Sequence, residues 1–324
     1  MQALTVQTLS PDLSGVALAR VAAPVRAPGE VLVQVRAVSL NFPDLLMTRG
    51  EYQLKPPLPF VLGLEFAGEV IAADEDAALR PGDRVYGGQQ TGCFAEQVCV
   101  PVAAVRPIPP GMTFEQAAAF GAAYSTAYTA LVELGGLKSG QWVLVHGASG
   151  GVGLAACDLA RALGAKVIAA SGSAGKLAAL EAACAPDAVL LARGQFRTAV
   201  AAITGGALCD LVFDPVGGDV FDESTRCTAF GGKLLVVGFA GGRIADVSTN
   251  IPLIKGFSIV GVRAGEYARR FPARGAAIRD ALLAMASSGQ ITPHIDRVLP
   301  LSRWREAFGA MAARQVVGKV VLEP

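Results

Sequence analysis

The hydrophobic pattern changes period partway along the chain. Up to about residue 122, apolar residues fall in short alternating runs. Glu30-Val31-Leu32-Val33-Gln34-Val35-Arg36 keeps a period of two, and Gly68-Glu69-Val70-Ile71-Ala72 and Asp83-Arg84-Val85-Tyr86 are further short runs bounded by turn residues. Such runs predict half-buried strands, and so a twisted, mostly antiparallel β domain. From about 123 to 268 continuous apolar runs alternate with helical segments. Trp142-Val143-Leu144-Val145-His146 predicts a buried strand, Leu154 to Leu163 a helix stopped by Gly164, and Lys166-Val167-Ile168-Ala169-Ala170 the next strand. The strand signal recurs at Leu208 to Phe213, Lys233 to Val237 and Ser258 to Val262. Strands alternating with helices predict an α/β fold, a parallel sheet wound by helices on both faces. From about 269 a helix (Arg274 to Ser287) leads to a closing strand, Gly318-Lys319-Val320-Val321-Leu322, expected to rejoin the first domain. The expected division is therefore 1–122 with 269–324, and 123–268.

Composition narrows the partners. Lys plus Arg number 28 against 27 Asp plus Glu, a net charge of +1, so neither a nucleic acid nor a membrane surface has an electrostatic handle here. Hydrophobic residues make up 52% of the chain, yet no apolar run approaches the ~20 residues of a spanning helix. The start, Met1-Gln2-Ala3-Leu4-Thr5-Val6, reads as a strand and lacks the build of a signal peptide. The six cysteines, at 93, 99, 157, 184, 209 and 227, form no CxxC pair, which fits free thiols in a reducing compartment. The expected location is the cytoplasm.

Candidate chemistry begins where the first buried strand of the second zone ends. Gly147-Ala148-Ser149-Gly150-Gly151-Val152-Gly153 joins a predicted strand to a predicted helix. In that setting the first glycine permits a tight turn, the second lets the backbone approach a pyrophosphate, and the third lets the helix pack against the sheet. Free N–H groups at the helix start then face the phosphates. The end of the next strand distinguishes the two dinucleotides. An NAD site sets a carboxylate there for the ribose 2′-hydroxyl. This chain has Ala170-Ser171-Gly172-Ser173 with Lys176 beyond, and Arg193 after the following strand. Hydroxyls and cations without a carboxylate point to a 2′-phosphate, hence to NADPH.

At this point several separated segments resemble the zinc-free NADPH:quinone oxidoreductase (zeta-crystallin-like) group of the medium-chain dehydrogenase/reductase superfamily. They are Val38-Ser39-Leu40-Asn41-Phe42-Pro43-Asp44, Arg49-Gly50-Glu51-Tyr52, Pro56-Pro57-Leu58-Pro59-Phe60, Gly63-Leu64-Glu65-Phe66-Ala67-Gly68, Pro81-Gly82-Asp83-Arg84-Val85, Ser125-Thr126-Ala127-Tyr128, the glycine turn, Asp214-Pro215-Val216-Gly217-Gly218 and the closing Gly318-Lys319-Val320-Val321. The resemblance implies a GroES-like β-rich catalytic domain plus a Rossmann doubly wound parallel-sheet domain, and a homodimer paired through the edge strand near 258–262. In zinc-dependent members of the superfamily a Cys, a His and a second Cys hold the catalytic metal; the matching positions here are Asn41, Leu64 and Ala122, none an ordinary zinc ligand. Without a Lewis acid, alcohol oxidation loses its means of lowering the hydroxyl pKa, whereas an already electrophilic acceptor needs only geometry and hydrogen bonds.

The resemblance also implies the site residues. Asn41 and Tyr52 match polar residues on the substrate side, and both side chains can donate to a carbonyl oxygen without a permanent charge. In related enoyl-thioester reductases the tyrosine at the Tyr52 position is associated with proton donation. A tyrosine near the pocket of quinone reductases is Leu46 here, which leaves a more apolar pocket. Thr126, Val216, Gly217, Gly238, Phe239, Ala240, Val262 and Lys319 join the glycine turn, Ser171, Ser173, Lys176 and Arg193 as expected cofactor contacts. His146, at the end of a buried strand, and His294, after Pro293, do not read as acid–base groups. Ser149 lies within the glycine turn, where a hydrolase reading is poor. The leading expectation is hydride transfer from NADPH to a quinone. The same chemistry on conjugated enals, enones or enoyl thioesters is the second, and a catalytically silent NADPH-binding structural protein the third.

Overall fold

The alternating run at 30–36 becomes the spine of the first unit. In the computed structural model, which describes residues 1–324, Glu30–Ser39 is a strand that buries Val31, Val33 and Val35 on one face. It pairs antiparallel with Glu65–Ala72 and with Gln97–Pro101. The sheet runs in the order Ile295–Pro300, Lys319–Glu323, Glu30–Ser39, Glu65–Ala72, Arg84–Gly88, Val105–Pro107. Ser39 and Val38 pair with Val321 and Leu322, so the closing strand does rejoin the first domain. A three-stranded sheet of Val16–Arg20, Gln2–Val6 and Phe60–Val61 completes the unit. Phe66, Phe94, Leu45, Met47, Leu62, Trp304 and Phe308 fill its core.

The second unit is the expected parallel sheet. Its six strands lie in the order Ala188–Leu191, Lys166–Ser171, Trp142–Val145, Cys209–Asp214, Thr228–Val236, Ser258–Gly261, and every pairing is parallel. Val143, Leu144, Val145, Val167, Ile168 and Ala169 are fully buried, as strands covered on both faces require. The strand order reverses on either side of Trp142–Val145, and loops leaving the carboxyl ends there form the crevice where such sheets bind ligands. Ser258–Gly261 is the edge strand, as its sequence position predicts.

One boundary differs from expectation. The chain divides into Met1–Ala122 with Pro293–Pro324, and Ala123–Thr292. The return comes at Pro293 rather than 269, because the helix Pro272–Ser287 stays with the parallel sheet. Arg274 on that helix and the Tyr267 hydroxyl just before it both donate to Glu133 Oε2 at 2.8 Å. Glu133 lies in the π-helical turn Thr129–Leu134. Thr292 closes the unit by donating its N–H to Asp158 Oδ2, which also accepts from the Tyr124 hydroxyl. No helix is long and apolar enough to cross a membrane.

Candidate functional site

Two loci carry the candidate chemistry, one in each unit. In the second unit the glycine turn has the geometry a phosphate needs. Gly147 sits at φ +56, and its carbonyl accepts the Gly150 N–H at 2.9 Å. The helix Gly151–Ala162 starts three residues earlier than its apolar pattern predicts, with Gly150 as its N-cap and no side chain over its end. Its first intrahelical donor is Leu154, bonded to the Gly150 carbonyl, so the N–H groups of Gly151, Val152 and Gly153 have no acceptor within the helix. A Cβ on Gly153 would lie 2.2 Å from the Gly147 carbonyl oxygen, whereas one on Gly150 would meet only that oxygen, at 3.4 Å. The third glycine is thus fixed by helix packing, and the second leaves open space at the turn.

Neighbouring loops converge on this turn. A Cβ on Gly147 would stand 3.2 Å from Pro215 and 3.3 Å from Val216, and one on Gly217 would stand 2.9 Å from Phe239. The Ala240 N–H donates to the Pro215 carbonyl. Val216, Gly217, Gly238, Phe239 and Ala240 are therefore gathered at one edge of the sheet. The N–H groups of Val216 and Gly217 are not available there, because both donate to Asp214 Oδ1, at 2.8 and 3.0 Å. Asp214, fully buried, is a loop-shaping residue that the motif contained but the sequence reading passed over. Burial pushes its carboxyl up, against the pull of those two N–H groups. Val262 continues the edge strand by donating to the Val236 carbonyl. Thr126 lies within the helix Gly121–Tyr128.

At the end of Lys166–Ser171 the Ser171 hydroxyl is buried and accepts the Ser173 N–H, so it shapes the turn. Arg193 donates from Nε to the Gly172 carbonyl at 2.6 Å, which brings its guanidinium to the same turn as Ser173, with Lys176 in the 3₁₀ turn that follows. No carboxylate occupies residues 171–176. His146, one residue before Gly147, is buried and bonds Ser224 Oγ through Nε2 at 2.7 Å. Ser224 donates its own proton to the Val220 carbonyl, so Nε2 is the protonated nitrogen. Burial pulls the imidazole down to about 3, and it stays neutral, as expected of a structural histidine.

In the first unit Asn41 caps the helix Phe42–Thr48, with its N–H on Asp44 Oδ2 at 2.8 Å. Both of its amide hydrogens are committed. Nδ2 donates to the Ser39 carbonyl at 3.1 Å and to Glu65 Oε1 at 2.8 Å, and Oδ1 accepts from Lys319 Nζ at 2.7 Å. Chemistry settles the amide orientation, because an ammonium can only donate, and a carbonyl and a carboxylate can only accept. Asn41, expected to donate to a substrate carbonyl, has no hydrogen left for that purpose. Lys319, expected among the cofactor contacts, is buried and donates to Asn41 and Glu65. Glu65 Oε2 accepts the Ala122 N–H at 2.8 Å. Burial pushes the neighbouring Asp44 carboxyl up to about 7, against the Asn41 N–H and the Lys319 ammonium. Glu65 and Asp44 both lie in segments quoted above, but only their side-chain partners mark them as part of the site. Tyr52 packs, partly buried, on the core of this unit, and its hydroxyl has no partner within the chain.

The comparisons fit this geometry. The family model of the alcohol dehydrogenase GroES-like domain matches residues 27–110, and that of zinc-binding dehydrogenases matches 151–282. Quinone oxidoreductase-like protein 2 of Mus musculus is 36% identical over 323 residues, 99% of this chain and 89% of its own. A probable oxidoreductase from Mycobacterium abscessus superposes with a TM-score of 0.92 at 37% identity, over 100% of this chain and 99% of that one. Escherichia coli quinone oxidoreductase, solved in complex with NADPH, superposes with a TM-score of 0.89 at 27% identity, over 100% of both chains. The zinc in one family description does not fit the donors present. Asn41 is saturated by protein partners, Leu64 and Ala122 offer no side-chain donor, and nowhere do three His, Cys, Asp or Glu side chains converge to hold a metal ion. The second unit is a nucleotide-binding domain of the NAD(P) type, and the chain belongs to the medium-chain dehydrogenase/reductase superfamily as an oxidoreductase of its quinone oxidoreductase-like group.

Proposed function

We propose that this chain is an NADPH-dependent reductase of quinones that works without a catalytic metal. The observation that carries the reading is the donor set of the first unit, which holds a protein ammonium among Asn41 and Glu65 and brings together no three His, Cys, Asp or Glu side chains for a metal. The glycine turn is suited to the pyrophosphate, and Ser173, Lys176 and Arg193 to a 2′-phosphate. When bound, NADPH supplies the hydride. Tyr52, whose hydroxyl is unspent, donates to the acceptor oxygen as negative charge develops there, and Asn41 fixes the segment that leads to it. The quinone gains a hydride and a proton and leaves as the hydroquinone. The NADPH complex of the Escherichia coli relative and the quinone oxidoreductase-like mouse relative support this reading.

A steady-state screen that follows NADPH absorbance tests it. Quinones are expected to be turned over faster than an alkenal or an enoyl-CoA, and Tyr52→Phe is expected to lower kcat/KM about 10²-fold, the usual range for removing a positioned proton donor. Turnover of the alkenes alone would overturn the quinone assignment, and an unchanged kcat/KM would remove Tyr52 from the mechanism. The cofactor choice has its own test. Lys176→Ala is expected to raise KM for NADPH by about tenfold, the worth of one charge-assisted phosphate contact, with little change for NADH. Equal effects on both cofactors would refute the 2′-phosphate contact.

The same reading includes a homodimer. Phe230, Leu253 and Ile254 are 87%, 80% and 74% exposed beside the edge strand Ser258–Gly261. Phe230 lies over Gly256, where a Cβ would come within 2.3 Å of its ring, two residues before the edge strand begins. An edge of this kind is protected by pairing with a second copy about a two-fold axis. Light scattering is expected to give a dimer that Leu253→Asp with Ile254→Asp converts to a monomer. A wild-type monomer at micromolar concentration would contradict it.

A further inference from the structure

The polar cluster of the first unit contains more organisation than a proton donor requires. Three stretches far apart in sequence meet on one cation. Lys319 Nζ donates to Asn41 Oδ1 at 2.7 Å and to Glu65 Oε1 at 3.0 Å. Glu65 passes the link on, accepting the Asn41 amide on Oε1 and the Ala122 N–H on Oε2. Positions 41 and 122 are two of the three that correspond to zinc ligands in metal-dependent members of the superfamily, and Glu65 follows the third. The side chains of Lys319 and Glu65 are only 7% and 4% exposed. An ion pair this deep is retained at the expense of desolvating both charges, and fixing geometry is a use that matches its position.

We propose that Lys319 is a positioning residue, its ammonium serving as the internal cation that holds together the segments a metal would otherwise organise. An ammonium can do this part of a metal's work. It presents directed N–H groups to an amide oxygen and a carboxylate, with a single positive charge and no open coordination position. It therefore orients Asn41, and with it the start of the helix Phe42–Thr48 and the chain running on to Tyr52, without polarising a substrate as a Lewis acid does. The arrangement also accounts for an asparagine and a glutamate at these places. Asn41 is the residue type that can accept from the ammonium and donate to the carboxylate at once.

This inference rests on the metal-free reading, and the two are tested separately. Metal analysis of the purified full-length protein by mass spectrometry is expected to find zinc well below one atom per chain. One zinc per chain would overturn that reading and the proposal with it. Lys319→Met then tests the lysine itself. NADPH affinity, read by fluorescence titration, is expected to stay within about twofold, while kcat falls by about tenfold, the scale of one lost charge-assisted hydrogen bond. Lys319→Arg should restore most of kcat, since a guanidinium can still donate to both partners. A weakened NADPH affinity with kcat unchanged would instead make Lys319 a cofactor contact and overturn the proposal. If Lys319→Met does not fold, Glu65→Gln combined with Lys319→Met removes both charges while keeping shape. Wild-type kcat in that double variant would show that the ammonium organises nothing for turnover.

Discussion

Lys319→Met is expected to lower the stability of the first unit by about 3–5 kcal/mol, the cost of stranding one partner of a buried ion pair. Glu65 would keep its bonds from the Asn41 amide and the Ala122 N–H, but it would face the buried Asp44 carboxyl with no cation between them. The size of the loss follows from burial, because an exposed pair of the same geometry is worth only about 0–1 kcal/mol. Removing both charges should therefore recover part of the loss, with Glu65→Gln and Lys319→Met together more stable than Lys319→Met alone, although an amide at 65 can accept only one of the two N–H groups that Glu65 accepts. The two tryptophans allow the measurement to be made unit by unit. Trp304 is buried in the first unit and Trp142 lies in the second. In a Trp142→Phe background, denaturant unfolding followed by Trp304 fluorescence reports the unit that holds the cluster. A midpoint unmoved by Lys319→Met would mean that the pair contributes nothing.

The second large effect belongs to the glycine turn, where two glycines three positions apart should respond differently. Gly153→Ala drives a methyl group to within 2.2 Å of the Gly147 carbonyl oxygen and 2.7 Å of the Ala148 Cα, both backbone atoms that cannot swing aside. The helix has to move off the sheet, and a stability loss of about 1–3 kcal/mol is expected together with loss of cofactor binding. Gly150→Ala meets only the Gly147 carbonyl oxygen, at 3.4 Å, so the fold should tolerate it. The methyl group would instead fill the space the backbone leaves for a pyrophosphate. NADPH affinity is expected to fall by at least about tenfold, with the unfolding midpoint held. Thermal unfolding and fluorescence titration of the two variants separate packing from ligand approach. Equal losses of stability in both would refute the distinction.

Particular residues show why some features were legible beforehand. The parallel sheet was readable because continuous runs such as Val143-Leu144-Val145 reflect burial on both faces, a local consequence of the layer they occupy. The glycine turn was readable because its backbone needs the absence of side chains at fixed spacing, and that absence is written in the residues themselves. Helix ends were less accurate. The helix after the turn starts at Gly151, since Gly151, Val152 and Gly153 form its first turn although the glycines carry no apolar signal. The helix Pro272–Ser287 has no distinctive pattern that assigns it to either unit. Its allegiance comes from Arg274 reaching Glu133, 141 residues away.

The sequence by itself determined the two fold types, the place of the glycine turn and the lack of zinc-ligating side chains at 41, 64 and 122. These depend on residue identity and on spacing within one stretch of chain. Only the tertiary structure decided what Asn41 and Lys319 do. Their side chains are 278 residues apart in sequence yet 2.7 Å apart in space. A side chain's identity limits whether it can donate or accept, but the partner that uses that capacity is chosen by sheet pairing. The pairing of the closing strand Lys319–Glu323 with Val38 and Ser39 set the ammonium beside the amide, and so joined two residues 278 positions apart in one buried cluster.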